Sequence, residues 1–216
     1  MCSHYEAPTL EALQETYGVA PGSSYKNDIW PGYSGVFLRA AKETDPHDEA
    51  APAIEALPGR FSLLPSWAKD EKLARSTFNA RSETVATKPS FRSAWKNAQH
   101  CIIPATAIYE PDWRSGKAVP TRITRHDGKL LSIAGLWECW RSPDGEMVHS
   151  YTMLTINADD HPMMQNFHRP GHEKRMVIVL PGPQVSEWLN ASADESARYF
   201  QQYPAERLTA EPQQPR

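Results

Sequence analysis

Apolar residues along this chain recur mostly with the two-residue period of strands, or in short continuous runs, and seldom with helical spacing. Residues 2–5, 35–38, 100–104, 107–110, 121–124, 130–140, 147–156 and 175–180 read as strands, and residues 54–67 as a strand running into a turn. Gly116, Asp127-Gly128 and Asp144-Gly145 punctuate several of them as turns or hairpins. Helical spacing is clear over residues 9–17, where Leu10, Leu13 and Tyr17 share a face, Thr9 can cap and Gly18 can stop the helix. Shorter helices are expected from Pro89 or Ser90 to Trp95 and over residues 183–189 and 194–203. The run 42–52 reads as an acidic exposed loop, residues 79–84 as a polar run between an aromatic turn and a helix, residues 157–172 as irregular and polar, and residues 204–216 as a flexible tail. Strands outnumber helices and do not alternate with them. The pattern therefore predicts a mostly β (α+β) single domain over residues 1–203, not a βαβ series.

At 216 residues the chain is long enough to bury a substantial core. The formal net charge of -3 argues against a generally basic nucleic-acid binder. Charge is unevenly spread, however. From Arg60 to Gln99 eight Lys/Arg face three acids, a local +5, so the remainder sums to -8. A local basic groove thus stays open. Cys2, Cys101 and Cys139 form neither a disulfide framework nor a zinc knuckle, and Cys101 sits in an apolar run as a core residue. No apolar run reaches membrane-spanning length and no signal-peptide core opens the chain, so a reducing cytoplasm is the expected location.

Four residues carry candidate chemistry. Removal of Met1 would leave Cys2 with an α-amine of pKa near ~7.8 and a thiol near ~8.5 on adjacent carbons. An amine condenses with a carbonyl to a Schiff base, and the neighbouring thiol can close that imine into a thiazolidine. Asn79 opens the polar run Asn79-Ala80-Arg81-Ser82-Glu83-Thr84, where its amide can orient a nucleophile and Arg81 can clamp a phosphate. Glu110 closes an apolar strand beside Tyr109 and Trp113, a setting in which a carboxyl can hold a proton near neutral pH. His168 can move protons at physiological pH. Three of them also have an ordinary reading: a frayed terminus for Cys2, a loop salt bridge for the Asn79 run, an exposed strand end for Glu110. The spacing of His161, His168 and His172 matches no standard metal motif, and neither a metal nor a cofactor is expected.

Taken in order, these segments resemble the SRAP family of abasic-site-processing proteins. The resemblance runs from Cys2 to about Leu180. It rests on Met1-Cys2, Leu64-Pro65-Ser66-Trp67, the Asn79 run, Lys88-Pro89-Ser90-Phe91, Cys101-Ile102-Ile103-Pro104, Tyr109-Glu110, Ala134-Gly135-Leu136-Trp137-Glu138 and the His168 segment. It implies a compact, β-barrel-like core with peripheral short helices and a basic groove. It also implies that Cys2 crosslinks to the ring-opened aldehyde of an abasic deoxyribose, with Asn79 positioning the cysteine, Glu110 opening the sugar and His168 acting at the reacting carbon. Arg81 is then similar to the family phosphate contact and Trp67 to an aromatic of the DNA groove, and His4, Lys69 and Arg169 are added as candidate DNA contacts. The implied partner is single-stranded DNA with an abasic site, including single-strand/duplex junctions, bound by a monomer away from any membrane. Family members have also been proposed as autopeptidases, so a cysteine-dependent peptidase using Cys2 is the competing reading, and a non-catalytic single-strand binder a third. Three departures stand out. Cys2 is followed by Ser3-His4-Tyr5 where the family has Gly-Arg-Phe, the segment after His168 is lengthened by Arg169-Pro170-Gly171-His172-Glu173-Lys174, and Glu110-Pro111-Asp112-Trp113 replaces a Glu-Trp pair.

Overall fold

A closed ring of five strands organises the computed structural model, which describes residues 2–41 and 53–213. In chain order the elements are β1 (Tyr5–Glu6), α1 (Leu10–Tyr17), β2 (Asp28–Ile29), β3 (Ser34–Ala40), β4 (Ile54–Phe61), β5 (Asn79–Arg81), α2 (Arg92–Lys96) and β6 (His100–Ala105). They continue with β7 (Ala107–Asp112), β8 (Val119–Arg125), β9 (Leu131–Arg141), β10 (Met147–Asn157), β11 (Arg175–Val177), α3 (Gly182–Asn190) and β12 (Leu208–Pro212). The ring runs β10-β4-β3-β6-β9 and closes where β9 pairs with β10, antiparallel everywhere except the parallel β4–β10 contact. Closure removes the open edges that a flat sheet would present. The expected barrel-like core is therefore present.

The long strand β10 extends beyond the ring. Its pairing with β9 ends at Met153, and from Thr155 onward β11 takes that side. On its other flank β5 lies parallel to it, with Asn79 opposite Met153. A second, fully antiparallel sheet runs β12-β8-β7-β1-β2. Only Thr106 separates β6 in the ring from β7 in this sheet, so one stretch of chain stitches the two together. Their apolar faces share one core, in which Tyr5, Phe37, Phe61 and Tyr151 pack as a cluster of rings and the hydroxyls of Tyr5 and Tyr151 bond at 2.6 Å.

Local signals set the element ends. Thr9 Oγ1 accepts from Ala12 N, Gly18 closes α1 in the left-handed conformation, and Leu13 is the side chain that α1 buries. Cys101 is buried in β6 as expected. Four expectations need correction. The polar run at 79–84 is not a loop throughout: its first three residues form β5, because the uncovered flank of β10 supplies backbone partners. The helix expected from Pro89 or Ser90 begins at Arg92, the preceding residues being hydrogen-bonded turns onto Lys88 and Thr84. The helix expected over 194–203 is a single 3-10 turn, Ser196–Tyr199. The tail from Pro204 is not loose through residue 213. Residues 208–212 pair in register with β8, burying Leu208 and satisfying an edge that would otherwise stay open. The acidic run 42–52 and residues 214–216 lie outside the described residues. Among the described residues no helix is long and apolar enough to cross a membrane.

The ring is tight at Gly135, where β6, β9 and β10 meet. A Cβ there would overlap Ile103 Cδ1 and the Thr152 carbonyl oxygen. Gly22 has open space around it. Gly135→Ala is therefore expected to cost at least about 2 kcal/mol in urea unfolding, with Gly22→Ala within about 0.5 kcal/mol.

Candidate active site

Backbone pairing delivers the N-terminal segment to the seam between the two sheets. Tyr5 pairs with Ile108, and Tyr109 N donates to His4 O at 3.0 Å, so residues 2–4 run antiparallel to β7 towards Glu110. Cys2 is almost fully buried there. Its carbonyl oxygen accepts a 2.6 Å bond from Asn79 Nδ2, and its thiol donates to His4 O at 3.4 Å. Asn79 can reach it because β5 is held against β10 with Asn79 buried at its start.

Along β7 alternate residues face opposite sides, and Ile108, Glu110 and Asp112 form the buried set. A carboxyl in that position loses its hydration, and burial pushes Glu110 up to about 7. His168 lies across from it. An isolated bridge, Asp112 to Phe167, brings its segment alongside, and His168 N donates to Pro111 O at 2.9 Å. Its φ of 61° is in the left-handed region, an uncommon setting for a residue with a side chain. Nδ1 stands 3.4 Å from Glu110 Oε2, and Nε2 is 3.1 Å from Arg175 O. A carbonyl oxygen only accepts, which assigns the ring proton to Nε2 and turns the Nδ1 lone pair towards Glu110. Burial lowers His168 to about 4, so the ring is neutral at pH 7 and Glu110 is the member that titrates there. Burial, and then the Glu110 carboxylate, push the Cys2 thiol up to about 12, so it stays protonated.

The four residues expected to carry chemistry are thus brought together. The expected DNA contacts differ among themselves in exposure and partners. Arg81 ends β5, about half exposed, with its guanidinium 2.7 Å from Glu173 Oε2. Trp67 is exposed beside a cleft of about 580 Å³ shared with Arg92, Trp95 and Lys96. Lys69 and Arg169 are exposed. His4 is otherwise engaged: its ring lies between Trp30 and Tyr109 and its Nε2 bonds Asp28. Sequence reasoning missed Arg175. This buried side chain bonds Glu83, Thr155 O and Glu173, the last shared with Arg81, while its carbonyl fixes His168. An arginine opening an otherwise apolar strand was the available signal. Among the described residues no group of three or more His, Cys, Asp or Glu is placed to hold a metal ion.

The family model for SOS response associated peptidase (SRAP) matches residues 1–215. The chain belongs to the SRAP family. A solved structure of a Bordetella bronchiseptica protein superposes with a TM-score of 0.89 at 47% identity, covering 99% of this chain and 100% of that one. A Bacteroides thetaiotaomicron protein, 21% identical with a TM-score of 0.79 over 98% of this chain and 91% of its own, shares the fold. The chain is similar to the abasic site processing protein YoqW of Bacillus subtilis, 37% identical over 61% of this chain and 55% of that protein. It is similar also to the abasic site processing protein HMCES of Rattus norvegicus, 28% identical over 73% and 52%. The chain spans about half the length of these curated relatives. Family membership links this SRAP chain to abasic-site processing proteins.

Titration of Glu110 gives a stability test. With its pKa raised from 4.5 to about 7, the folded chain holds a proton that the unfolded chain releases. The resulting stabilisation is fully present below about 4.5 and is lost as pH rises through about 7. Glu110→Gln lacks this dependence. Its stability relative to the unsubstituted chain is expected to rise by up to about 3 kcal/mol between pH 4 and pH 8, read by urea unfolding across that range. His168, lowered from 6.5 to about 4, contributes stability present above 6.5 and lost as pH falls through 4, a background common to both proteins.

Proposed function

We propose that this chain shields abasic sites in single-stranded DNA by covalent attachment through Cys2. The observation that carries the reading is the convergence of Cys2, Asn79, Glu110 and His168 at one seam. Met1 must first be removed, since an acylated nitrogen at Cys2 cannot attack. The sugar of an abasic site is mostly a closed hemiacetal. Glu110, with a pKa of about 7, can give a proton to the ring oxygen as the ring opens to the aldehyde, and take one back later. The Cys2 amine adds to the aldehyde carbon, and the carbinolamine loses water to a Schiff base. The thiol sulfur then bonds that carbon while its proton passes to the imine nitrogen. The net change is one aldehyde and one cysteine giving one thiazolidine and one water.

The geometry supports a division of labour. Asn79 fixes the cysteine backbone, so amine and thiol face the same carbon with little freedom left to lose. Neutral His168 offers Nδ1 to the Glu110 carboxyl and can relay its proton. A thiol kept protonated until the imine forms favours attack by nitrogen first. Cysteine-peptidase chemistry needs an imidazole on the thiol. Here the two ring nitrogens face Glu110 and Arg175 O instead, which favours crosslinking over peptide hydrolysis. Single-stranded DNA suits the site because the sugar can enter without an opposing base, with Arg81 on the adjoining phosphate.

A denaturing gel with abasic single-stranded DNA is expected to show an adduct that survives denaturation. Cys2→Ala should abolish it, and Cys2→Ser should leave a link that is stable only after borohydride reduction. Equal adduct from Cys2→Ala would contradict the proposal. Arg81 must also leave Glu173 to meet a phosphate. Because an exposed ion pair is worth about 0–1 kcal/mol, Glu173→Gln should tighten binding of an uncrosslinkable single strand by a few-fold at most, measured by fluorescence anisotropy.

A further inference from the structure

The residue that departs from the family pattern two places after Cys2 is part of a larger construction. His4 lies between Trp30 and Tyr109, with ring centroids 4.1 Å apart on both sides and interplanar angles of 13° and 10°. Three parallel rings at that spacing repeat the geometry of stacked bases. Asp28 holds two of them, accepting from Trp30 Nε1 at 3.2 Å and bonding His4 Nε2. Tyr109, the inner ring, is fixed through its hydroxyl to Glu6, which Arg122 holds in turn. Trp30 is the outer ring of the stack and is 42% exposed. A large indole held rigidly by a carboxylate, yet left in solvent, gains nothing obvious for the core.

What lies next to Trp30 has the opposite chemistry. Pro31 and Gly32 line a cleft of about 490 Å³ with Arg60, Lys72, Arg75 and Glu71. Glu71 answers Arg60 at 2.5 Å and Asp70, outside the lining, answers Lys72 at 3.3 Å, so the cleft with its ion-pair partners carries three positive charges against two negative. An aromatic face beside a cationic cleft is the combination by which single-stranded nucleic acid is held without sequence preference, bases on rings and phosphates on cations.

We infer that Trp30, backed by His4 and Tyr109, is a stacking platform for a nucleobase flanking the abasic sugar, with the adjoining phosphates in the Arg60–Lys72–Arg75 cleft. The inference rests on the proposed reaction at Cys2, which places the sugar two residues from His4. The occupant is a base of the same strand. At the position where a family arginine would meet a phosphate, this chain extends a stack, exchanging a salt-sensitive contact for a salt-tolerant one.

The test uses single strands carrying a tetrahydrofuran abasic analogue, which has no aldehyde, with 2-aminopurine on one side of it or the other. The unsubstituted chain should quench 2-aminopurine on one side through stacking. Trp30→Leu should lose that quenching and bind about tenfold more weakly, while Trp30→Phe, which keeps a ring, should retain most of both. Arg75→Gln should weaken binding and flatten its dependence on salt by about one unit of logarithmic slope. Equal quenching and equal affinity for Trp30→Leu and the unsubstituted chain, at both positions, would overturn the platform. A parallel denaturing gel of the unsubstituted chain with true abasic DNA keeps the two ideas apart. Trp30-dependent quenching without an adduct removes the chemistry and leaves the platform, and an adduct without Trp30-dependent quenching does the reverse.

Discussion

The bond from Asn79 Nδ2 to the Cys2 carbonyl is the contact on which the site depends. It joins two parts of the chain that are 77 residues apart and sit in different sheets. A chain terminus is ordinarily the least ordered part of a domain. Here two constraints suppress that freedom: the backbone pairing of residues 4 and 5 with β7, and the amide of Asn79 on the carbonyl beyond it. The barrel makes the second one available, because β5 is anchored only where β10 runs past the end of β4. The architecture thus fixes the backbone of Cys2 itself, through which the proposed attachment would act.

The same seam sets the proton balance. Excluding water raises Glu110 into the neutral range and lowers His168 out of it, so a carboxyl, not an imidazole, is the group poised to exchange a proton at pH 7. Opening a sugar ring needs an acid, and forming an imine needs an amine free of its proton. One carboxyl with a midpoint near neutrality can serve both steps in turn, provided that a neutral ring beside it can hold the proton in between. The cost is a buried carboxyl that works against the fold as pH rises. The tight ring at Gly135 and the shared aromatic core supply the stability that such a site consumes.

Much of this was legible in the chain. The five ring strands follow from period-two or short continuous apolar runs and from glycine turns, and Thr9 with Gly18 marks both ends of α1. Cys2, Asn79, Glu110 and His168 stand out in the sequence only through the order of their motifs, since no one of them is distinctive alone. What escaped depends on partners distant in sequence. β12 exists because β8 offers an edge, and Leu208 to Pro212 carries too few apolar residues to announce a strand. β5 is polar at Asn79 and Arg81 and is a strand only because β10 has a flank to fill. Arg175 looked like an ordinary strand opening, yet it anchors both the Glu83–Glu173 charge chain and the ring of His168. His4 looked like a weak substitute for a phosphate contact, and only the fold brings Trp30 and Tyr109 to its two faces.

In the proposed attachment Cys2 supplies both atoms that hold the damaged sugar. The most direct measurement is intact mass, followed by peptide mapping, of the Met1-less chain after reaction with an abasic oligonucleotide. A single adduct is expected whose mass is the sum of the two partners less one water, mapped to the peptide that begins at Cys2, with the Cys2 thiol no longer alkylatable. An adduct mapped to a lysine, or one at Cys2 whose thiol still reacts with an alkylating agent, would contradict it.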